Sequence, residues 1–451
     1  MSKLRLAIVG AGPAGIYAAD IILKAEKQFD VSIDLFDHLP APYGLVRYGV
    51  APDHPRIKGI INALRDVLDR GDIRLFGNVR YGVDLTLDDL KQHYNAVIFS
   101  TGAVQDAPLD IPGIDLPRSY GAAEFVNWYD GHPDFPREWP LETESVAVIG
   151  NGNVALDVAR MLAKHADDLL VTEIPDNVYQ GLKASKVTDV HVFGRRGPAQ
   201  VKFTPLELRE LGELRDVDII VYDEDFIDDE ASKTAIETNK QIMVLNRVLN
   251  SWRERPVGEA SRRLHLHFWA KPLEVLGDEQ SGVQGLRYER TEPDGQGGVR
   301  GTGEIRELPI QGLYRAVGYF GSPLDGIPFD ERRGVIPNRE GQVIDDNDEP
   351  VRGVFATGWI KRGPVGLIGH TKSDAMETVS HVINSQSDWW TPEHPDPRAI
   401  VELLISRGVE FTDLTGWHNL DGAEKQLGEE QGRERIKLVD RDDMLKAARG
   451  E

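Results

Sequence analysis

The chain has 451 residues, no cysteine and a formal net charge of −22 at pH 7. That length accommodates two or three domains with sizeable cores. No run is long and apolar enough to cross a bilayer, and the acidic balance argues against general nucleic-acid binding. Without cysteine the chain has no disulfide, no cysteine-ligated iron–sulfur cluster and no redox-active dithiol. A cytoplasmic location is expected, because the first strand pattern starts at Leu4 and leaves no signal or transit peptide ahead of it.

Leu4–Val9 is a short apolar run that ends in Gly10-Ala11-Gly12-Pro13-Ala14-Gly15, and Ile16 to Lys27 reads as helix. Strand, glycine turn and helix in that order predict a dinucleotide site. Gly10 makes the tight turn, Gly12 lets backbone approach a pyrophosphate, and Gly15 lets helix pack on strand, with the helix N-terminus facing the anion. Asp37 closes the next strand, Ser32–Phe36. A carboxylate there accepts from both ribose hydroxyls and repels a 2′-phosphate, so the first site should hold FAD or NAD.

Leu39–Lys58 carries several prolines and glycines and reads as an extended, stiff connection suited to lie against a flat ring. Arg47, Asp53 and His54 would place ionisable groups beside that ring. Lys58 to Arg70 is an amphipathic helix, Ile73–Phe76 a strand, Thr86 a helix cap, and Ala96–Ser100 a buried strand that closes the first nucleotide-binding half. The proline-rich stretch Pro108–Pro117 reads as a crossing between domains.

The opening pattern then returns as the strand Ser145–Ile149, the turn Gly150-Asn151-Gly152-Asn153-Val154-Ala155 and a helix from Leu156 to Ala166. Ala155 replaces the third glycine, which the motif tolerates. Asp157, inside that helix, is either a buried carboxylate near the ligand or a polar-face residue. The strand Val187–Phe193 ends in Gly194-Arg195-Arg196-Gly197, and two guanidiniums at that point suit a 2′-phosphate, so the second site should prefer NADP. Thr204-Pro205-Leu206-Glu207 has the form of a capping box, which leaves Glu210, a turn further on, free to contact a bound nicotinamide.

Arg247, Arg253, Arg255, Arg262 and Arg263 form a basic island in an acidic chain. Strands are expected near Leu264–Trp269 and Val283–Tyr288, with a hairpin at Pro293–Gly303. Gly353–His370 is a buried strand running into a glycine-rich turn, with a helix from Thr371 or Ser373 to about Asn384, and Trp359 either lies along a flavin ring or belongs to the core. Pro392–Glu451 reads as helix and connection packing back on the first domain.

Taken together, the first glycine turn, Pro42–Lys58 with its Gly-Leu-Val-Arg and Ala-Pro-Asp-His-Pro blocks, Gly150–Arg160, Arg195–Glu210 and Gly358–Ile368 resemble the adrenodoxin-reductase type of ferredoxin–NADP reductase, bacterial members included. The resemblance runs nearly end to end. It implies an α/β flavoprotein of two Rossmann-like dinucleotide-binding domains, with FAD and NADP as cofactors. The FAD domain would be discontinuous, residues 1–106 and 320–451, and 107–319 would bind NADP. It implies that Ala14, Asp37, Leu45, Val79, Trp359, Gly366, Leu367 and Ile368 line FAD. Asn151, Gly152, Asn153, Val154, Arg195, Arg196, Glu207 and Gly366 would contact NADP, with His54 and Glu210 near flavin and nicotinamide.

Asp37 stands where the family has Glu, and Ala107 where some members have a basic residue. The implied reaction takes hydride from NADPH onto FAD and passes single electrons to a ferredoxin, a small acidic iron–sulfur protein, which would supply a cytochrome P450 or biosynthetic enzymes. The arginine island matches the region where related reductases carry partner-binding arginines. A flavin monooxygenase shares both glycine turns, a non-catalytic redox sensor is the second alternative, and a thioredoxin-reductase-like enzyme lacks its cysteine pair here.

Overall fold

Two parallel sheets carry the two glycine turns. The computed structural model describes residues 3–227, 229–296, 298–365 and 368–451, the side chains of 368 and 369 excepted. In the first unit the strands run in the order Asn338–Arg339, Gln342–Ile344, Pro350–Ala356, Ala96–Phe99, Lys3–Val9, Asp30–Phe36, Ile73–Phe76. The last five are mutually parallel, with Lys3–Val9 between Ala96–Phe99 and Asp30–Phe36. Their continuous apolar character follows from burial on both faces. Both ends of the chain thus enter one sheet.

The second unit holds a six-stranded parallel sheet in the order Ser119–Gly121, Gly312–Arg315, Ser145–Ile149, Asp189–Phe193, Arg262–His267, Val217–Val221. An antiparallel sheet of Ala270–Asp278, Gly282–Pro293 and Val299–Pro309 packs beside it. The chain crosses between the units twice, at Gln105–Asp106 and Tyr319–Phe320. These two crossings pair antiparallel as a narrow ribbon, and they lie outside the proline-rich stretch expected to make the crossing.

Several boundaries differ from expectation. The first helix is Pro13–Lys24 and the equivalent second helix is Asn153–Ala163, each starting inside its glycine turn. The segment Leu39–Lys58 is not wholly extended: it contains the helical turns Leu45–Tyr48 and Pro55–Lys58, the second opened by Pro55, whose fixed φ suits a first helical position. Ile60–Leu68 follows as the amphipathic helix. Thr86 caps its helix as expected, with Asp89 completing a reciprocal capping box.

The C-terminal helices Pro397–Ser406, Leu414–Glu430 and Arg441–Arg449 pack on the first unit, but the stretch between the last two also reaches the second. Buried Lys437 donates to the carbonyl oxygens of Arg47 at 2.6 Å and Asp130 at 3.0 Å, and Arg433 pairs with Asp176 at 2.9 Å. Among the described residues no helix is long and apolar enough to cross a membrane.

Candidate active site

The three glycines of the first turn meet three different surroundings. Gly10 has φ +114°, and a Cβ there would lie 2.4 Å from Ser100 O; only glycine makes that turn without strain. A Cβ at Gly15 would lie 2.1 Å from Gly10 O, so that position is closed by helix-on-strand packing. A Cβ at Gly12 would meet nothing nearer than Gly44 Cα at 3.8 Å, and one at Gly152 in the second turn nothing within 4 Å. The second glycine of each turn therefore faces open space that a methyl group would enter, the cradle a pyrophosphate needs. Gly12 and Gly152 are also the N-caps of their helices and bring no side-chain acceptor, which leaves the first-turn N–H groups to an anion.

Around the first turn the structure collects residues from both chain ends. Tyr43 N donates to Ala11 O at 2.8 Å, which brings Gly44 and Leu45 beside Gly12. Asp37 is buried. Its Oδ2 accepts from Ala11 N at 2.7 Å and its Oδ1 from Leu39 N at 2.9 Å, and Val79 N donates to Asp37 O at 2.8 Å. The carboxylate thus pins the turn while each oxygen keeps a second acceptor position for a ribose hydroxyl. Gly358 packs against Ala14 so closely that a Cβ would lie 2.6 Å from that methyl, and Trp359, half-buried, follows it. Of the remaining positions expected at FAD, Gly366 and Leu367 lie outside the described residues, as does the side chain of Ile368, the first residue of the helix to Asn384.

At the second turn Gly150 N donates to Phe193 O at 3.0 Å, and Gly194 lies against the Asn151 side chain, so Arg195 and Arg196 follow directly beside the turn. Among the described residues neither guanidinium has an ion-pair or hydrogen-bond partner, in a chain rich in acids. The capping box expected at Thr204 and Glu207 does not form. Thr204 N donates instead to Asn153 Oδ1 at 2.9 Å, and Asn153 Nδ2 donates to Glu207 Oε1 at 3.2 Å. The asparagine of the glycine turn, 51 residues away, thus supplies to Thr204 N the acceptor that the capping box would have drawn from the Glu207 carboxylate. Glu207 Oε2 is buried without a hydrogen-bond donor, which fits a carboxamide or ribose docking against it.

His54 bridges the two units. Its Nε2 lies 2.8 Å from Asp157 Oδ1 and its Nδ1 2.9 Å from Glu210 Oε2, a distance for an ion pair without hydrogen-bond alignment. Burial pulls the imidazolium pKa down, but the two facing carboxylates more than offset this and hold it at about 9. Arg160, buried at the centre, takes Asp53 through Nε and NH2 at 2.9 and 2.8 Å and lies 2.8 Å from Asp157. Arg160 NH2 is also 2.8 Å from His54 Nε2. With the ring doubly protonated, Nε2 donates to Asp157, and the guanidinium donates to Asp53. Lys164 adds a second cation to Asp53 at 2.8 Å.

Arg47 and Asp53, expected beside a flat ring, are both taken up by buried ion pairs. Arg47 is buried on Glu424, at 3.0 and 2.5 Å, and Asp53 is taken by Arg160 and Lys164. A buried charge must find its counter-charge or neutralise, and in the sequence nothing links Arg47 to a residue 377 positions away. Arg160 and Lys164 were not singled out in the sequence, although their spacing from Asp157 along one helix was visible. The arginine island is also divided. Arg253 pairs with Asp223 at 2.5 Å, Arg263 with Asp189 at 2.6 and 2.7 Å, and Arg262 donates to the carbonyl oxygens of Ala163 and Lys164. Arg247 and Arg255, both exposed, have neither an ion pair nor a side-chain hydrogen bond among the described residues.

Residues 4–190 match the pyridine nucleotide-disulphide oxidoreductase family. The chain is 39% identical to the NADPH-ferredoxin reductase FprA of Mycobacterium tuberculosis, over 100% of both chains. It is 36% identical to the mitochondrial NADPH:adrenodoxin oxidoreductase of Bos taurus, over 98% of this chain and 91% of the other. The chain belongs to this family of reductases. The solved structure of Mycobacterium tuberculosis FprA in complex with NADPH superposes with a TM-score of 0.89 at 37% identity, covering 99% of this chain and 100% of that one. The α/β fold with Rossmann-like units expected from the two glycine turns is therefore the family's fold.

Proposed function

We propose that this chain is an NADPH–ferredoxin reductase. The observation that carries the reading is the asymmetry of its two glycine turns. One is locked by a carboxylate, Asp37, and the other is flanked by two guanidiniums, Arg195 and Arg196, that have no ion-pair partner among the described residues. The first suits the adenosine end of FAD and the second the 2′-phosphate of NADP. End-to-end identity with the Mycobacterium tuberculosis reductase supports the pairing. When bound, FAD supplies the conversion between a hydride pair and single electrons.

The chain's own residues then have positioning roles. On this reading residues 1–106 and 320–451 bind FAD through Gly10, Gly12, Ala14, Gly15, Asp37, Leu45, Val79, Trp359 and the segment Gly366–Ile368. Residues 107–319 bind NADP through Asn151–Val154, Arg195, Arg196 and Glu207. His54 and Glu210 sit where the units meet, and we assign them to orienting the nicotinamide against the flavin. Both ring nitrogens of His54 already face carboxylates, so the imidazolium acts as a fixed charge rather than an obligatory proton donor.

The acceptor is a ferredoxin of acidic iron–sulfur type, a cytochrome P450 being one downstream consumer, and the site of action is the cytoplasm. The test is NADPH-driven, ferredoxin-dependent reduction of cytochrome c by the purified protein, together with release of free FAD on denaturation. A colourless protein that takes up no FAD overturns the reading. So does release of a hydroxylated product without electron transfer to ferredoxin, which would indicate a flavin monooxygenase. Absence of turnover with any artificial acceptor would indicate a sensor.

A further inference from the structure

At its end remote from the glycine turn, the second sheet carries a group of side chains for which the nucleotide chemistry has no use. Asp189 and His191 alternate on one face of the strand Asp189–Phe193. In the neighbouring parallel strand His265 is the register partner of His191, and Arg263 that of Asp189, so all four project on the same face. The imidazoles of His191 and His265 stack with centroids 4.2 Å apart and planes at 16°. Donor atoms of Asp189, His191 and His265 all lie within 4.8 Å of one another.

From this geometry we infer that Asp189, His191 and His265 form a binding site for a divalent transition-metal ion of the zinc class. Two imidazoles and one carboxylate leave a fourth position to water, the donor set of an open tetrahedral site. Donors at about 2.0–2.1 Å from one ion stand about 3.3 Å apart and each imidazole binds in its own plane, so closure needs one of the two stacked rings to turn until both planes meet at the ion.

A second feature independently points to a ligand. Each imidazole is held at its Nδ1: His191 by His267 Nε2 at 3.0 Å, and His265 by Tyr222 Oη at 2.8 Å. Without an ion, His265 Nε2 donates to Asp189 Oδ1 at 3.2 Å and its Nδ1 accepts from Tyr222 Oη; coordination at Nε2 moves that proton to Nδ1, which then donates to Tyr222 Oη. Metal-ligating histidines are oriented in this way, with the second nitrogen fixed by an outer partner. Arg263 now fills the metal's place on Asp189. Its side chain is 46% exposed and can turn to solvent, after which the ion clamps the two strands together.

The experiment uses FAD-loaded protein freed of metal with a chelator, dialysed to equilibrium against zinc chloride and assayed for bound zinc. Folding of each variant is followed by its melting transition. His265→Gln should lose one zinc equivalent per chain relative to the parent. Tyr222→Phe, which keeps the ring and removes only the hydroxyl, should weaken binding by about 10–100-fold, and Arg263→Ala, which removes the competing cation, should tighten it. His132→Gln, in the separate group of His38, His132 and Asp134, should retain the equivalent lost in His265→Gln. If His265→Gln proves unstable, Tyr222→Phe and Arg263→Ala decide. A parent protein that takes up no zinc overturns the inference, as does uptake unchanged by His265→Gln, or unchanged by both Tyr222→Phe and Arg263→Ala.

Discussion

Asp53 grips the guanidinium of Arg160 through both carboxylate oxygens, at 2.8 and 2.9 Å, across the boundary between the two units. Asp53 belongs to the loop that follows the first sheet's second strand. Arg160 belongs to the helix that follows the second glycine turn. The pair therefore sets how the His54 loop meets the helix that follows the second glycine turn.

Breaking the pair should cost stability. Asp53→Asn removes one of the carboxylates facing a buried cation, and about 3 kcal/mol should be lost. Arg160→Met should cost more, because Arg160 faces Asp157 at 2.8 Å and Glu210 at 3.7 Å as well as Asp53, and all three would be left near one another. Denaturant midpoints of the FAD-loaded variants check the order. An Arg160→Met protein as stable as the parent would contradict it.

The pKa of His54 lies above that of an unfolded histidine, at about 9. The folded state therefore binds the proton more tightly. The resulting stabilisation is fully present below about pH 6.5, declines as pH rises, and is gone above about pH 9. Its size should be on the order of 2 kcal/mol. His54→Gln carries no such proton, so parent and variant should differ most in melting temperature near pH 6 and converge toward alkaline pH. A gap that widens with pH would mean that the carboxylates do not hold the proton.

Replacing Arg195 and Arg196 together by Ala should raise the Michaelis constant for NADPH by one to several orders of magnitude and leave that for NADH nearly unchanged. Each charge-assisted contact is worth about 1.5–3 kcal/mol. Steady-state ferricyanide reduction with both coenzymes measures this. An equal loss for both would place the 2′-phosphate elsewhere.

If the basic island steers an acidic ferredoxin, the work falls to Arg247 and Arg255, since the other three arginines are already engaged. Reversing both to Glu should lower the ferredoxin-dependent rate several-fold at low salt, with the difference fading as ionic strength shortens the screening length toward about 8 Å. NADPH–ferricyanide turnover should not change. Arg263 is bound to Asp189, so Arg263→Glu should leave the ferredoxin rate near that of the parent. If Arg247 and Arg255 reversal alters neither activity, docking uses another surface.

Much of the architecture depends on interactions within a few residues, and it is legible for that reason. The alternation from apolar strand to Gly10–Gly15 to helix, its recurrence at Gly150–Ala155, and the Thr86–Asp89 cap are all short-range patterns. They predict two nucleotide-binding units, and the carboxylate at Asp37 against the guanidiniums at Arg195 and Arg196 predicts which cofactor each takes. The absence of cysteine excludes dithiol chemistry without any structure.

Tertiary structure decided where the buried charges go. Arg47, in a loop near the N-terminus, is paired with Glu424 close to the other end of the chain. Thr204 and Glu207 have the form of a reciprocal cap, and Asn153 instead accepts from Thr204 N and donates to Glu207. His54 looked like a loop histidine, and two carboxylates from the other unit hold its proton. Each outcome turns on a counter-charge or hydrogen-bond partner brought near by topology, from 51 to 377 residues away. Desolvation makes such a partner obligatory for a buried ion, but it does not say where along the chain the partner will be found.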